Sequence, residues 1–411
     1  MAHIGPGIVT GASDDDPSGI ATYSQAGAQF GFGLLWVAIF SYPLMCAIQE
    51  ISARIGRVTG RGISANLLKA YPRPVVVSMV ALLLVSSVFN LGADLGAMGE
   101  AVRMLVGGAR WFHILWLGIA SLLLQVFVRY TNYVGYLRWL SFSLFAYAIT
   151  LFLVHVPWST AVLQTFLPPI SLRSSYVTTI VAVLGTTISP YLFFWQASQE
   201  AEEVKDRKDE KALLRAPSQA PAQLWRIKLD TYAGMAASNV VAYCIILTSA
   251  VTLHTSGNTQ IQSATDAAKA LQPLAGPYAY ILFSLGIIGT GLLAVPVLGG
   301  AAAYAAGEAM RWRVGLELKP RKAAKFYLAL IMATFFGLSL NFLRLDPIKA
   351  LFIAAVINGL MAAPLMCMMM LLTQNRKIMG EFALPAYLRI AGWAGAAVMG
   401  LASIALLFQL L

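Results

Sequence analysis

The chain has 411 residues, of which 58% are apolar and only 11% are charged, and its mean hydropathy is +0.71. This composition excludes an ordinary soluble domain and predicts an integral membrane protein surrounded by a lipid bilayer. A net charge of +11 would suggest nucleic acid as the partner of a soluble protein. Here the basic residues lie in short loops between apolar runs, so we expect no nucleic-acid partner.

Eleven apolar segments are long enough to cross about 30 Å of hydrocarbon as helices. In chain order they cover residues 4–29, 33–55, 75–106, 111–128, 138–157, 175–199, 226–254, 277–308, 324–343, 347–373 and 386–411. The sequence therefore predicts an all-α integral membrane protein with 11 transmembrane helices. The polar stretch at about 200–225 separates the sixth and seventh segments, and its mixed charges predict a solvated helix or a mobile linker.

The first and sixth segments each contain a helix breaker at mid-membrane depth. The first reads DDDPSG at residues 14–19, and the sixth reads GTTISPYLFF from residue 185 onward. Proline removes a backbone donor and clashes with the preceding turn, so each segment is predicted to form two half-helices. Backbone groups freed at such a break are tolerated only beside protein or a water-filled cavity.

The two breaks lie five segments apart, and an odd offset inverts the second unit relative to the first. Residues 1–158 are therefore predicted to form a five-helix repeat and residues 174–374 a second, inverted one, with residues 386–411 as an additional helix. Paired interrupted segments in two halves are typical of a transporter whose substrate site lies near the membrane midplane.

The loops indicate how the chain is placed in the membrane. Most of the 29 lysines and arginines fall in alternate loops, which predicts a cytoplasmic N-terminus and a C-terminus outside. We expect a multi-pass protein of the cell membrane, plasma or inner, with no cofactor and no obligatory protein partner. The hydrolytic motifs HExxH and GxSxG are absent, so the sequence predicts no enzyme.

Asp16 is the strongest candidate for binding a cation. A charge inside a span is rare and usually functional, although Asp before Pro is also an ordinary helix start with Asp as the N-cap. The two roles are compatible because a carboxylate has two oxygens. Asp14 and Asp15 precede the break and are expected to face an outward vestibule or a neighbouring helix, where they add negative potential that attracts cations.

The motifs GPGIVTGASDDDPSG and LGTTISPY, on eleven spans with an inverted repeat, resemble those of the NRAMP divalent-metal transporters, which share the LeuT-type fold. The resemblance extends over essentially the whole chain and includes GADLG in span three and LDTYAGMAASN in span seven. It implies a 5+5 inverted repeat with broken helices 1 and 6, and divalent metal ions as the transported partners.

The same motifs depart from the family's pattern. The span-one motif of transition-metal members is Asp-Pro-Gly-Asn, and here residues 16–19 read Asp-Pro-Ser-Gly, so the Asn ligand is missing. The span-six motif is Ala-x-x-Met-Pro-His, and here residues 186–191 place Ser189 at the thioether position and Tyr191 at the histidine position. A soft thioether favours Mn, Fe and heavier metals, whereas hydroxyl, carbonyl and water oxygens suit Mg²⁺.

This altered pattern is similar to the NRAMP-related magnesium transporter branch, whose members are taken to carry Mg²⁺ and also Mn²⁺. The resemblance implies a metal site in which Asp16 supplies charge, Thr186 its backbone carbonyl and Ser189 its hydroxyl. Gly19 contributes space for an ion that keeps much of its water. Asn358 in span ten is a weaker lining candidate, since a polar residue there is equally compatible with helix–helix contact.

Proton coupling is predicted to be absent. A second span-six histidine of the family falls at Gln196, and the four histidines of the chain all lie at or near span ends. Asp94 and Glu100 in span three leave a proton route open. Moving two charges across 100 mV yields roughly 4.6 kcal/mol, so we expect uptake driven by the membrane potential. A proton-coupled Mn²⁺/Fe²⁺ transporter, a Na⁺-coupled organic-solute transporter of the same fold and a passive channel remain alternatives.

Overall fold

The computed structural model of the protein describes residues 5–128, 144–207, 209–343 and 346–410, and within these ranges every regular element is helical. Nine helical runs of these residues are long and apolar enough to cross a membrane. They are Pro17–Thr59, Arg73–Val106, Arg110–Phe127, Ser174–Asp206, Pro217–His254, Ala264–Ala309, Ala324–Leu343, Pro347–Gln374 and Ala386–Gln409. The all-α, multi-pass architecture is therefore confirmed.

The count of eleven spans and the 5+5 repeat stay predictions. The first run joins the second half of predicted span one to span two through a 3₁₀ turn at Gly31–Leu34. The predicted fifth segment, residues 138–157, lies partly outside the described residues.

Fifteen helices build the part of the bundle that positions the breaks. They are α1 (Pro6–Asp14), α2 (Pro17–Phe30), α3 (Leu35–Thr59), α4 (Ile63–Ala70), α5 (Arg73–Val106), α6 (Arg110–Phe127), α7 (Phe145–Leu153), α8 (Trp158–Phe166), α9 (Ser174–Thr187), α10 (Pro190–Asp206), α11 (Ala220–Ser249), α12 (Ala279–Ala309), α13 (Ala324–Leu340), α14 (Pro347–Gln374) and α15 (Ala386–Leu410). Short helical turns at Ala264–Ala268, Gln272–Ala275 and Arg376–Met379 lie in the connections.

Both predicted helix breaks are confirmed. The first span stops at Asp14 and restarts at Pro17, with Asp16 in an extended conformation as the N-cap of α2. The sixth span stops at Thr187 and restarts at Pro190, with Ser189 in the N-cap position of α10. In each case proline occupies the first helical position, where its missing N–H leaves no intrahelical bond unmade.

The broken spans pack against each other in crossed pairs, α9 against α2 and α10 against α1. Glycines allow close approach of the half-helices to their other neighbours. A Cβ on Gly11 of α1 would overlap the backbone of Gly234 in α11, and a Cβ on Gly185 of α9 would overlap the backbone of α14 at Ala355 and Gly359. Small residues in such contacts let membrane helices pack backbone to backbone, and this brings the two breaks together at the centre of the bundle.

The charged residues after position 200 differ from the sequence prediction. The stretch at about 200–225 is not a solvated linker throughout, because α10 continues to Asp206 and Glu200 is fully buried. Glu200 pairs with Arg226 of α11 at 2.7 Å, and the buried Arg57 of α3 pairs with Glu210. These charges therefore form ion pairs that tie α3, α10 and α11 together at one end of the bundle.

Three further buried acids have partners within the bundle. Glu50 pairs with Arg54 one turn along α3, at 2.7 Å. Glu308 accepts hydrogen bonds from the first backbone amides of α4, those of Gly62 and Ala65. Asp230 does the same for α1, so carboxylates cap two helices in this fold.

Candidate metal site

Asp16 lies at the centre of the first break with 2% of its surface exposed. Its Oδ1 accepts hydrogen bonds from the backbone amide of Gly19 at 2.8 Å and from the hydroxyl of Ser18 at 2.6 Å. Its Oδ2 accepts from Nδ2 of Asn90 and from the hydroxyl of Tyr191, both at 3.1 Å. Because a carboxylate offers about four lone pairs, these four donors occupy its hydrogen-bonding capacity.

The donors to Oδ2 come from two other helices. Asn90 lies on α5, and Tyr191 lies in the first turn of α10, directly after the second break. The Tyr191 hydroxyl is also 3.3 Å from the backbone carbonyl of Ser13, in the last turn of α1. One phenol therefore connects both broken spans, and it stands at the position where the resemblance places a histidine.

Thr186 and Ser189 lie together at the second break, and both are buried. The hydroxyl of Ser189 donates backward, to the carbonyls of Gly185 at 2.9 Å and of Thr186 at 2.8 Å. The Thr186 hydroxyl donates to the carbonyl of Val183 at 3.0 Å. The carbonyls of Gly185 and Thr186 thus share the Ser189 hydroxyl, whose oxygen keeps lone pairs free to accept.

Gly19 occupies a narrow position next to Asp16. A Cβ at this residue would lie 3.2 Å from Cε2 of Tyr23, 3.5 Å from the carbonyl oxygen of Asp14 and 3.7 Å from Oδ1 of Asp16. The space that the sequence assigned to Gly19 is therefore bounded by the Tyr23 ring on one side and by oxygens on the other.

Asp14 and Asp15 face a neighbouring helix, which is one of the two positions expected for them. Oδ2 of Asp14 lies 2.7 Å and Oδ1 of Asp15 lies 3.0 Å from the hydroxyl of Ser238 on α11. Both carboxylates are buried, with 1% and 5% of their surface exposed. Both side chains therefore lie against α11 beside the break.

The other polar residues considered from the sequence are Asp94, Glu100 and Asn358, and they lie on α5 and α14. Asp94 is fully buried on α5, one turn beyond Asn90. Glu100, further along α5, pairs with Arg103. Asn358 of α14 accepts a hydrogen bond from Ser86 of α5, which is a helix–helix contact. Neither Glu100 nor Asn358 contacts Asp16.

Asn90 was missed by the sequence reasoning. A signal was present, since Asn90 precedes Asp94 by four residues and so shares its face of α5. A small cavity of about 20 Å³ opens further along α5, between Gly92, Gly96, Arg110 and Asn341, and the four predicted site residues do not line it. In the described ranges no three His, Cys, Asp or Glu side chains are grouped so that they could hold a metal ion.

Two interrupted spans that pack together around a buried carboxylate are typical of membrane transporters with discontinuous helices. Solved structures agree on the fold. A manganese transporter from Eremococcus coleocola matches with a TM-score of 0.78 at 16% identity, covering 98% of this chain and 85% of the other. Mhp1, a nucleobase-cation-symport-1 family transporter, matches with a TM-score of 0.61 at 14% identity, covering 98% and 92%.

Sequence comparison identifies the family. The family model described as natural resistance-associated macrophage protein-like, Nramp, matches residues 7–409, and the chain belongs to this family. A divalent metal cation transporter MntH from Klebsiella pneumoniae is 25% identical over 405 residues, covering 97% of this chain and 92% of the relative. MntH from Caldanaerobacter subterraneus is 24% identical over 412 residues, covering 95% and 89%. The predicted resemblance is confirmed, and so is the prediction that the chain is not an enzyme.

Proposed function

We propose that this protein carries divalent metal cations across the membrane by alternating access, with Mg²⁺ as well as Mn²⁺ as cargo. The observation that carries the proposal is the buried carboxylate of Asp16, held at the crossing of two broken helices. Relatives over nearly the full chain are named divalent metal cation transporters, which supports a divalent cation as the substrate. Asp16, Gly19, Thr186 and Ser189 form the proposed site.

The oxygen-rich polar groups at the two breaks support Mg²⁺ as one of the transported ions. The groups that make hydrogen bonds at the two breaks are carboxylate, amide, hydroxyl and backbone carbonyl groups. Such oxygens suit Mg²⁺ and Mn²⁺, whereas a thioether at position 189 would favour softer metals. Ser189 therefore relaxes the selection for transition metals.

The hydrogen bonds that already occupy the Asp16 carboxylate support a cation that keeps much of its water. A metal bound directly to Oδ2 would displace either Asn90 or Tyr191, because both are 3.1 Å from that oxygen. A hydrated ion instead needs acceptors for its water hydrogens, and carbonyl and hydroxyl oxygens at the second break can provide them. Mg²⁺ dehydrates reluctantly, so the second arrangement costs it less.

We further propose that transport is not coupled to protons and needs no resident cofactor. Tyr191 hydrogen-bonds Asp16 where a coupled member would carry a histidine, and a phenol does not titrate near neutral pH. An inside-negative potential supplies roughly 4.6 kcal/mol per divalent ion at 100 mV. The proposed placement is the cell membrane, with the N-terminus cytoplasmic and the C-terminus outside.

Two competing functions have an observation in their favour. Asp94, buried one turn from Asn90 on α5, would serve a proton-coupled Mn²⁺ transporter. The fold match to Mhp1, a nucleobase-cation-symport-1 family transporter, is in line with a cation-coupled solute carrier, of which the Na⁺-coupled carrier considered from the sequence is one. A carboxylate at the break would repel an anionic solute, and this argues against carriers of organic acids.

Proteoliposomes test these functions together. Vesicles with an inside-negative potential are loaded with a Mg²⁺-sensitive dye in one set and a pH-sensitive dye in another, and Mg²⁺ or Mn²⁺ is added outside. The proposal predicts metal entry with no change of internal pH. Acidification that depends on the metal would favour the proton-coupled function, and solute uptake without metal entry would favour the Na⁺-coupled one.

A further inference from the structure

The amide of Asn90 is a polar group in contact with Asp16 from a third span, and neither the resemblance nor the comparisons assign it a role. Its Nδ2 lies 3.1 Å from Oδ2 of Asp16, and the residue is fully buried. A carboxylate can only accept hydrogen bonds here, so the atom facing it is the nitrogen and the remaining atom is the amide oxygen. The orientation of this side chain thus follows from its partner.

Oδ1 of Asn90 is a buried acceptor without a hydrogen-bond donor in the described part of the chain. Buried polar atoms of folded proteins are almost always paired, and an unpaired one is unfavourable. A group that enters and leaves, such as a cation or the water bound to it, accounts for an acceptor left open at this place. Gly19, which contacts the other oxygen of Asp16, has no side chain that could supply a neutral oxygen ligand.

We propose that Asn90 binds the transported cation through Oδ1, directly or through one of the ion's waters, while Nδ2 holds Asp16 in position. This inference rests on the proposed transport of divalent cations. A water bound at about 2.1 Å from Mg²⁺ and hydrogen-bonded over about 2.7 Å reaches an acceptor almost 5 Å from the ion. An ion at that distance can therefore contact Asn90 through one of its waters.

The neutral ligand proposed here, Asn90, lies on an unbroken helix. In the family pattern the neutral Asn ligand lies on the broken first span, where this chain has Gly19. α5 runs without interruption from Arg73 to Val106, and Asn90 lies between Ser86 and Asp94 on the same face. Because α5 is continuous, Asn90 keeps a fixed depth in the bundle while the half-helices carry the remaining ligands. Asn90 therefore acts as the fixed side of the cation site.

Three substitutions in the full-length protein test the proposal, with Mn²⁺ as the probe. Asn90→Leu removes both the donor and the acceptor at nearly constant size. Asn90→Asp keeps oxygen ligands but loses the donor to Asp16. Ser87→Ala, at a buried serine on the same helix, is the matched control. Uptake into proteoliposomes gives KM and Vmax, titration calorimetry in detergent gives Mn²⁺ affinity, and thermal unfolding reports the fold.

We expect Asn90→Leu to raise the KM and the dissociation constant for Mn²⁺ about 10- to 100-fold, as for the loss of a contact to a charged group. Asn90→Asp should keep both within about threefold of wild type or lower them, because the ion retains its oxygen ligand. Ser87→Ala should match wild type. If Asn90 only held Asp16, two facing carboxylates would make Asn90→Asp at least as damaging as Asn90→Leu.

Two results would overturn the proposal. One is an Asn90→Leu protein that folds and binds Mn²⁺ within twofold of wild type. The other is an Asn90→Asp protein whose KM rises more than tenfold, and this outcome decides the matter even if the leucine variant does not fold. Wild-type protein that binds neither Mn²⁺ nor Mg²⁺ would refute the proposed function itself, so the two failures are distinguishable.

Discussion

Replacing Asp16 by Asn removes the charge at the first break while keeping the shape of the side chain. The new amide nitrogen cannot accept, so it cannot face the Gly19 amide, which lies 2.8 Å from Oδ1. The amide nitrogen must therefore take the place of Oδ2, where it faces the two donors of Asn90 and Tyr191. The Tyr191 hydroxyl can turn to the Ser13 carbonyl at 3.3 Å, and Asn90 can rotate its amide to present Oδ1. No backbone movement is needed.

This geometry sets the size of the expected effects. The Tyr191 hydroxyl finds a new partner, whereas Nδ2 of the turned Asn90 loses its own, so we expect Asp16→Asn to lower the free energy of unfolding by about 1–3 kcal/mol. Asp16→Ala loses the N-cap of α2 and should cost about 0.5–2 kcal/mol. A divalent ion about 4 Å from a unit charge gains roughly 8 kcal/mol at an effective dielectric constant of 20. Even a third of that gain corresponds to about 100-fold in affinity.

The assay compares both variants with wild type in proteoliposomes, with thermal unfolding in detergent as the control for folding. We expect Mg²⁺ and Mn²⁺ uptake to fall together by more than about 100-fold in Asp16→Asn, with a melting temperature lowered only by the equivalent of about 1–3 kcal/mol. Uptake within twofold of wild type would remove Asp16 from the site. A collapse of the melting temperature in Asp16→Asn would refute the hydrogen-bond reasoning.

Three further predictions concern the scaffold. Asp230→Ala frees the first amides of α1, which lie 2.6 and 3.2 Å from its oxygens, and should destabilise the protein by about 1–2 kcal/mol in thermal unfolding, with Asp230→Asn less affected. Gly11→Val should cost about 1–3 kcal/mol or prevent folding, because its Cβ meets Gly234, and an unchanged melting temperature would contradict the close packing. Burial raises the pKa of Glu210, but hydrogen bonds from Arg57 and Arg207 outweigh it and leave that pKa below its usual value. The stabilisation is therefore present at neutral pH and lost as the pH falls through the lowered pKa. Glu210→Gln should lower the melting temperature at pH 7 by the equivalent of about 1 kcal/mol and match wild type only at a pH well below that lowered pKa. An equal deficit at neutral and at strongly acidic pH would be inconsistent with this pair.

The helix breaks could be predicted because they depend on local chemistry. Proline at the first helical position and an acid before it determine where α2 begins, whatever surrounds them. The same holds for Pro190 and α10. The role of Asp16 as N-cap and the candidate site residues at both breaks followed from these short motifs.

The partners of Asp16 could not be predicted, because they are far away in the chain. Asn90 is 74 residues from Asp16 and Tyr191 is 175 residues away, and a lone Asn in an apolar helix is equally typical of helix–helix contact. The buried ion pairs of Glu200 were read as a solvated run for a related reason. Mixed charges at helical spacing look alike whether they face water or the arginines of neighbouring helices, here Arg57 and Arg226.

The most direct test of the account is the position of a bound ion. Crystals of the wild-type protein soaked in Mn²⁺ and measured at a wavelength where Mn scatters anomalously should give a peak between the two breaks. We predict it within about 5 Å of the Asp16 carboxylate and of Asn90 Oδ1, the distance that one retained water allows. A peak confined to the cavity beside Arg110 and Asn341, with none between the breaks at saturating Mn²⁺, would contradict the account.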